Sequence, residues 1–284
     1  MRIFVTGASG FLGGYLIRNL LNYDYKILVL NRSLKDNYQF ESKINFVNKG
    51  LEELNLKDIE DVETIIHFAS AGVSPKKVSL LELEKTNVEG SYRLIKLAHK
   101  AGVRRFIVAG SCLEYGEEAN NWEYIPSNAS LQPICNYSNS KVKAFIKLKE
   151  FALKNNIELF YGRIFSAYGN GQFEENFWPS LKRAALSGKN FQMTSGNQIR
   201  DFIKVEKVAN HFVDAILRKD VISFRPYIVN IGTGHGTSLK DFAIREWHKF
   251  NASGQLIIGG LKSRPNEIQR MVANIDGLKL INKI

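Results

Sequence analysis

The chain has 284 residues, 44% hydrophobic and 24% charged, with a formal net charge of +11; this length and balance build one large or two interlocked globular domains. No apolar run reaches the roughly 18 residues of a membrane span, and glycine enters at Gly7, too early for a signal-peptide core. Cys112 and Cys135 make neither a disulfide framework nor a metal site, so the expected compartment is the cytoplasm and no metal is expected.

The first predicted element is a strand over Arg2–Val5, followed at once by Thr6-Gly7-Ala8-Ser9-Gly10-Phe11-Leu12-Gly13 and an amphipathic helix over Phe11–Asn22. A strand breaking into glycines and restarting as a helix is the context of a dinucleotide site. Gly7 allows the tight turn, Gly10 the approach of a pyrophosphate, and Gly13 close packing of helix on strand. The free N–H groups at the helix start then face the phosphates. A plain tight turn would also account for the glycines.

A second strand is predicted over Lys26–Leu30 and ends in Asn31-Arg32-Ser33. An acidic residue here would hold the ribose hydroxyls of NAD and repel a phosphate. A cation with neutral donors suits a 2′-phosphate instead, so NADP(H) is expected in preference to NAD(H). Further strands are predicted over Ile44–Val47, Thr64–Phe68, Arg105–Ala109 and Ile157–Arg163, with helices over Leu80–Lys100 and Tyr137–Asn155. This alternation predicts an α/β fold, a Rossmann-type doubly wound parallel sheet covered on both faces. Later elements are helices over Phe177–Gly188 and Glu206–Arg218 and a strand over Tyr227–Ile231. We expect residues 1–165, with 204–235 returning to them, to form the dinucleotide-binding domain, and 166–203 with 236–284 a smaller interleaved substrate lobe.

Ser111 follows the Arg105–Ala109 strand in G-S-C-L-E-Y-G, and Tyr137 and Lys141 follow in Y-S-N-S-K. At four-residue spacing on a helix the last two share a face, where an ammonium would draw a phenol from its usual pKa of about 10 toward the working range. A helix surface with an ordinary Tyr and Lys would look the same. Lysines such as Lys141, Lys143, Lys147 and Lys149 are spread along the chain like a solvated face rather than gathered in one run. The basic balance thus suits an anionic small molecule, and neither nucleic acid nor a membrane is an expected partner.

Taken in order, Thr6–Gly13, His67-Phe68-Ala69-Ser70, Asn87-Val88-Glu89-Gly90, Ser111 with Tyr115-Gly116, Tyr137 with Lys141, Arg163-Ile164-Phe165, Tyr168-Gly169, Arg200-Asp201-Phe202-Ile203, Asn230-Ile231-Gly232 and Arg264-Pro265 resemble the extended short-chain dehydrogenase/reductase family, the NAD-dependent epimerase/dehydratase family, and in particular its nucleotide-sugar-modifying members. The resemblance covers nearly the whole chain. It implies cofactor contacts at Thr6, Gly7, Ser9, Gly10, Phe11, Leu12, Gly13, Asn31, Arg32, Ser33, Phe68, Ala69, Ser70, Asn87, Tyr137 and Lys141, and a catalytic set of Ser111, Tyr137 and Lys141. It also implies substrate contacts at Ser111, Ser166, Arg200 and Arg264. Relatives that dehydrate sugars carry an Asp-Glu pair where this chain has Cys112 and Leu113, so dehydration is not expected, and Cys112 reads as a small packed residue.

The G-S-C-L-E-Y-G loop most resembles reductases of nucleotide-linked 4-keto-6-deoxyhexoses of the CDP-abequose-synthase type. The expected function is therefore NADPH-dependent reduction of a keto group, at C4, on such a sugar. A nucleotide-sugar C4 epimerase with bound NAD(P), and a non-catalytic dinucleotide- or RNA-binding protein on the same fold, remain alternatives. Glu114 reads either as a substrate contact or as an exposed loop carboxylate. Relatives pack the two long helices into a four-helix bundle, so a homodimer is expected, with burial of these helices' apolar residues in the chain's own core as the alternative.

Overall fold

The first strand, β1 (Arg2–Thr6), is apolar and buried from Ile3 onward, and its chain turns at Gly7 into α1 (Phe11–Leu20). The chain then alternates through β2 (Lys26–Asn31), β3 (Ile44–Asn48) and β4 (Thr64–His67). These are features of a computed structural model that describes residues 1–31, 43–73, 77–263 and 267–278. The helix expected over Leu80–Lys100 is present with an irregularity. Its first turn, α2 (Leu80–Leu83), is capped by Ser79, whose hydroxyl accepts the Glu82 N–H. A π-helical stretch spans Glu84–Gly90, and α3 (Ser91–Lys100) completes the helix. Residues β5 (Arg105–Ser111), α4 (Asn136–Lys154) and β6 (Glu158–Ile164) follow.

Seven strands make the large sheet in the order β10-β6-β5-β4-β1-β2-β3, where β10 is the later strand Tyr227–Ile231. Every pairing in it is parallel. Because a parallel strand needs a crossover, helices lie on both faces. One face packs Leu16, Ile17 and Leu20 of α1 together with Val208, Phe212 and Ile216 against Ile3, Val5 and Phe160. The opposite face packs Leu94, Ile95, Phe145 and Leu148 against Phe4, Phe106 and Tyr161. The expected doubly wound sheet is thus the observed one. Its order reverses direction between β1 and β4, and a crevice outside the strand ends at such a point is where α/β sheets take ligands.

The remaining elements are shorter. Strand β7 (Ser166–Tyr168) precedes α5 (Phe177–Leu186) and β8 (Phe191–Met193). Next come β9 (Ile199–Lys204) and α6 (Val205–Leu217), which leads back to β10. Strand β11 (Gly236–Ser238), α7 (Leu239–Lys249), β12 (Leu256–Ile258) and β13 (Arg270–Met271) close the described chain. Strands β7, β11 and β13 all pair with β9 in a second sheet, and β12 pairs with β8. Leu181, Ala185, Met193, Ala243 and Trp247 form a separate small core here. Cys112, Tyr115, Phe165, Met271 and Ala273 join the second sheet to the end of β5.

Candidate active site

Strands β1, β4, β5 and β6 end side by side at Thr6, His67, Ser111 and Ile164, so the sequence-predicted groups meet along one sheet edge. At β1 the turn is tight: Gly10 donates its N–H to the Gly7 carbonyl at 3.1 Å. Gly7 has φ +73°, and a Cβ on Gly13 would lie 2.1 Å from the Gly7 oxygen, so no side chain fits at either position. Helix α1 starts at Gly10 with no side chain capping it, which leaves its first N–H groups to an external acceptor. A bare glycine turn feeding an uncapped helix fits a dinucleotide pyrophosphate. Ser9 and Gly10 are exposed on it, and Phe11 and Leu12 are half-buried.

Thr6 is fully buried, and its hydroxyl accepts the Ala69 N–H at 3.2 Å while lying 2.7 Å from Nδ1 of His67. Nε2 of His67 is 2.8 Å from Oγ of Ser91. Burial pushes the imidazole down to about 3, with the Lys141 charge acting in the same direction. A neutral ring therefore links β1, β4 and α3. Phe68 packs its ring edge-on against Phe212, 4.6 Å between centroids, so its side chain faces the core.

Asn87 lies in the widened π-helical stretch and is 1% exposed. Its oxygen accepts the Ala71 N–H at 2.7 Å and the Ser70 hydroxyl at 3.0 Å. Its amide donates to the Ala71 carbonyl and to Oγ of Ser140. Asn87, expected as a cofactor contact, spends its amide on tying the Ser70–Ala71 loop to α4. The π turn shifts the helical register locally, as such turns do at functional sites.

Helix α4 begins at Cys135, whose Sγ accepts the Ser138 N–H at 3.5 Å, and it carries Tyr137 and Lys141 toward the end of β5. Lys141 is buried, and Nζ donates to the Ala109 carbonyl at 2.8 Å. Burial lowers its ammonium below the ordinary lysine range, and the Glu114 charge opposes that. Tyr137 is half-buried. Its phenol is raised above the ordinary tyrosine value, first by desolvation and then by Glu114, while hydrogen bonding from Ser111 and Ser70 works downward. The expected lowering of this phenol by Lys141 is thus corrected: burial dominates, and the group stands as a firmly protonated acid. The structure brings Ser111, Tyr137 and Lys141 together, and adds Ser70 as a second hydroxyl at the phenol.

Ser111 is 9% exposed, and its Oγ accepts the Leu113 N–H at 3.2 Å. Beneath it lies a polar layer that the sequence reading missed. Glu114, neither a substrate contact nor an exposed carboxylate, is 0% exposed and pairs with Nε of Arg163 at 2.6 Å. Arg163 also donates to the Ser127 carbonyl at 2.9 Å and to the Tyr115 hydroxyl at 3.2 Å, and that hydroxyl donates to Oδ1 of Asn230 at 2.5 Å. The signal was present: an arginine inside the apolar strand Glu158–Ile164 requires a buried counter-ion. A Ser-x-x-Glu pattern from Ser111 to Glu114 is also a cap signature.

Cys112 is buried, and desolvation pushes its thiol up to about 12, so it is a packed thiol and not a base. The neighbouring Leu113 is exposed and apolar. Burial lowers the guanidinium of Arg200, on β9, below the ordinary value, and the Glu267 charge opposes that. Its pairing to Glu267 is loose, at 4.0 Å. Asp201 beside it is fully buried and accepts the Thr233 N–H and hydroxyl, the Gly234 N–H and the Ala273 N–H, which locks β9 to the turn after β10. Ser166 begins β7, half-buried, directly beside Phe202 in register. Asn31 ends β2, buried. Arg32, Ser33 and Arg264 lie outside the described residues.

A glycine turn at a sheet edge beside a Ser, Tyr and Lys set defines a nicotinamide-dependent enzyme of the short-chain dehydrogenase/reductase type. The chain belongs to the NAD dependent epimerase/dehydratase family, whose model matches residues 3–232. It is an NAD(P)-dependent, nucleotide-sugar-modifying enzyme of the extended class. The CDP-abequose synthase of Salmonella typhimurium is 28% identical over 98% of this chain and 91% of that protein. The UDP-glucose 4-epimerase of Halalkalibacterium halodurans is 27% identical over 85% of this chain and 78% of that protein. Among solved structures, the NAD dependent NDP-hexosamine 5,6-dehydratase TunA, involved in tunicamycin biosynthesis, superposes with a TM-score of 0.83 at 27% identity, covering 96% of this chain and 89% of that one.

Proposed function

We propose that this enzyme reduces the C4 keto group of a nucleotide-linked 6-deoxyhexose with NADPH. The observation that carries the reading is the convergence of Ser111 and a protonated Tyr137 at the end of β5, with Lys141 buried beside them. A bound nicotinamide supplies the hydride. Tyr137 gives its proton to the alkoxide oxygen as charge develops, and Ser111 holds that oxygen by a hydrogen bond. Lys141 steadies the cofactor ribose. Thr6 to Gly13, with Asn31 and the Phe68–Ser70 loop, hold the dinucleotide; Arg32 and Ser33 take a 2′-phosphate.

In the second lobe, residues 166–203 and 236–284, Arg200 grips the substrate diphosphate as a forked donor, and Ser166 and Arg264 are further substrate contacts. A guanidinium paired at only 4.0 Å to Glu267 is free to exchange that partner for a phosphate. Dehydration is disfavoured by chemistry: Cys112 with a thiol near 12 and Leu113 provide neither acid nor base. The exposed Leu80, Leu81 and Ile146 form the face of a homodimer, and a monomer mass in light scattering would exclude it.

C4 epimerisation is the second reading, favoured by likeness to the UDP-glucose 4-epimerase. NADPH consumption with CDP- and dTDP-linked 4-keto-6-deoxyglucose, with NADH in parallel, separates the two. Turnover that needs added NADPH and Tyr137 supports the reductase. Cofactor retained through purification, with no net consumption, supports the epimerase.

A further inference from the structure

The fully buried ion pair below Ser111 has a role beyond holding the fold. Replacing such a pair with apolar residues is often neutral or stabilising, so stability alone gives little reason for it. Its geometry is specific. Oε1 of Glu114 accepts the Ser111 N–H at 2.8 Å and the Tyr161 hydroxyl at 2.7 Å, while Oε2 takes Nε of Arg163. The guanidinium is sandwiched by rings, 4.5 Å from the Phe145 centroid and 4.9 Å from that of Tyr115.

We propose that Glu114, with Arg163 as counter-ion, is a positioning residue for the hydroxyl end of this site, holding Ser111 by its backbone N–H and setting its negative charge within electrostatic reach of the Tyr137 phenol. The proposal rests on the reading of Tyr137 as proton donor. The other titratable groups that bear on that phenol are Cys112 on the β5 turn and Tyr161 on β6. Cys112 and His67 are neutral, Lys141 points to the Ala109 carbonyl, and Arg163 is committed to Glu114. Burial is the larger influence on both groups, and the Glu114 charge adds to it at Tyr137, favouring the protonated phenol, and opposes it at Lys141, favouring the ammonium. The acid thus stays loaded until an alkoxide demands its proton.

The test uses Glu114→Gln, which keeps the volume and an acceptor for the Ser111 N–H but removes the charge. The Tyr137 ζ-carbon resonance, assigned with Tyr137→Phe, is followed upward from about pH 10, where an ordinary tyrosine titrates. The phenol is expected to ionise at lower pH in Glu114→Gln than in the parent, and Glu114→Asp, which keeps the charge, to return it toward the parent. Keto reduction is expected to fall at least about tenfold in kcat, with the KM for NADPH little changed. Because Glu114→Gln strips Arg163 of its counter-ion, the double variant Glu114→Gln/Arg163→Met, which carries neither charge, is measured beside it. An unmoved Tyr137 titration in either folded variant overturns the proposal, as does loss of folding in both, which would assign Glu114 to stability alone. A displaced titration in a parent that reduces no keto sugar overturns the reaction assigned above and leaves the role of Glu114 standing.

Discussion

Oγ1 of Thr6 lies 2.7 Å from Nδ1 of His67, and this contact ties the residue that opens the glycine turn to the end of the neighbouring strand. Burial keeps the imidazole neutral, holding its pKa at about 3 against an ordinary 6.5. Below about pH 6.5 the unfolded chain binds a proton at this residue that the folded chain refuses. Stability is therefore complete above that pH and is lost as pH falls toward 3, by up to about 1.4 kcal/mol per pH unit. Thermal denaturation of His67→Gln across this range should show a shallower acid slope than the parent. Equal slopes would mean that the ring takes up its proton in the folded state.

Gly13→Ala places a Cβ where 2.1 Å separates it from the Gly7 oxygen. The turn must open or the helix must shift, at a cost of about 1–3 kcal/mol typical of overpacking. We expect a lower melting temperature together with loss of NADPH binding by fluorescence titration. Parent-like affinity would show that the α1 terminus does not receive the pyrophosphate.

Tyr137→Phe removes the hydroxyl but keeps the ring. Turnover should fall about 10²–10⁴-fold, whereas cofactor affinity should stay within about threefold, because Lys141 is held independently by the Ala109 carbonyl. A variant within tenfold of the parent would remove Tyr137 from the proton-transfer step.

Arg32→Asp should reverse the cofactor preference. A carboxylate there repels a 2′-phosphate and bonds ribose hydroxyls. The measured quantity is the ratio of kcat/KM with NADPH to that with NADH, and an unchanged ratio would dismiss Arg32 as the discriminator.

Much of this molecule was legible in local pattern. The apolar runs at Arg2–Thr6 and Arg105–Ser111 report their own burial, and the helix carrying Tyr137 and Lys141 starts and stops within about one residue of its periodicity. The glycine spacing predicted a tight turn and close helix packing, and both are found at Gly7 and Gly13. The strand expected over Arg105–Ala109 runs on to Ser111, which is its last residue and not the one after it.

Other features depend on which distant segments meet. Glu114 and Arg163 stand 49 positions apart, and only the pairing of β5 with β6 brings them to 2.6 Å. Asn87 points inward because a π turn widens the helix, a departure invisible to a count of 3.6 residues per turn. The Tyr137 phenol rises rather than falls because desolvation, a property of everything packed around it, is the largest influence on it, while Lys141 four residues on gives its ammonium to the Ala109 carbonyl. Sequence determined the elements and the order of the reacting groups, since periodicity and turn chemistry are local. Tertiary structure decided their protonation and their partners, because electrostatic energy in a buried site depends on distances that the fold alone sets.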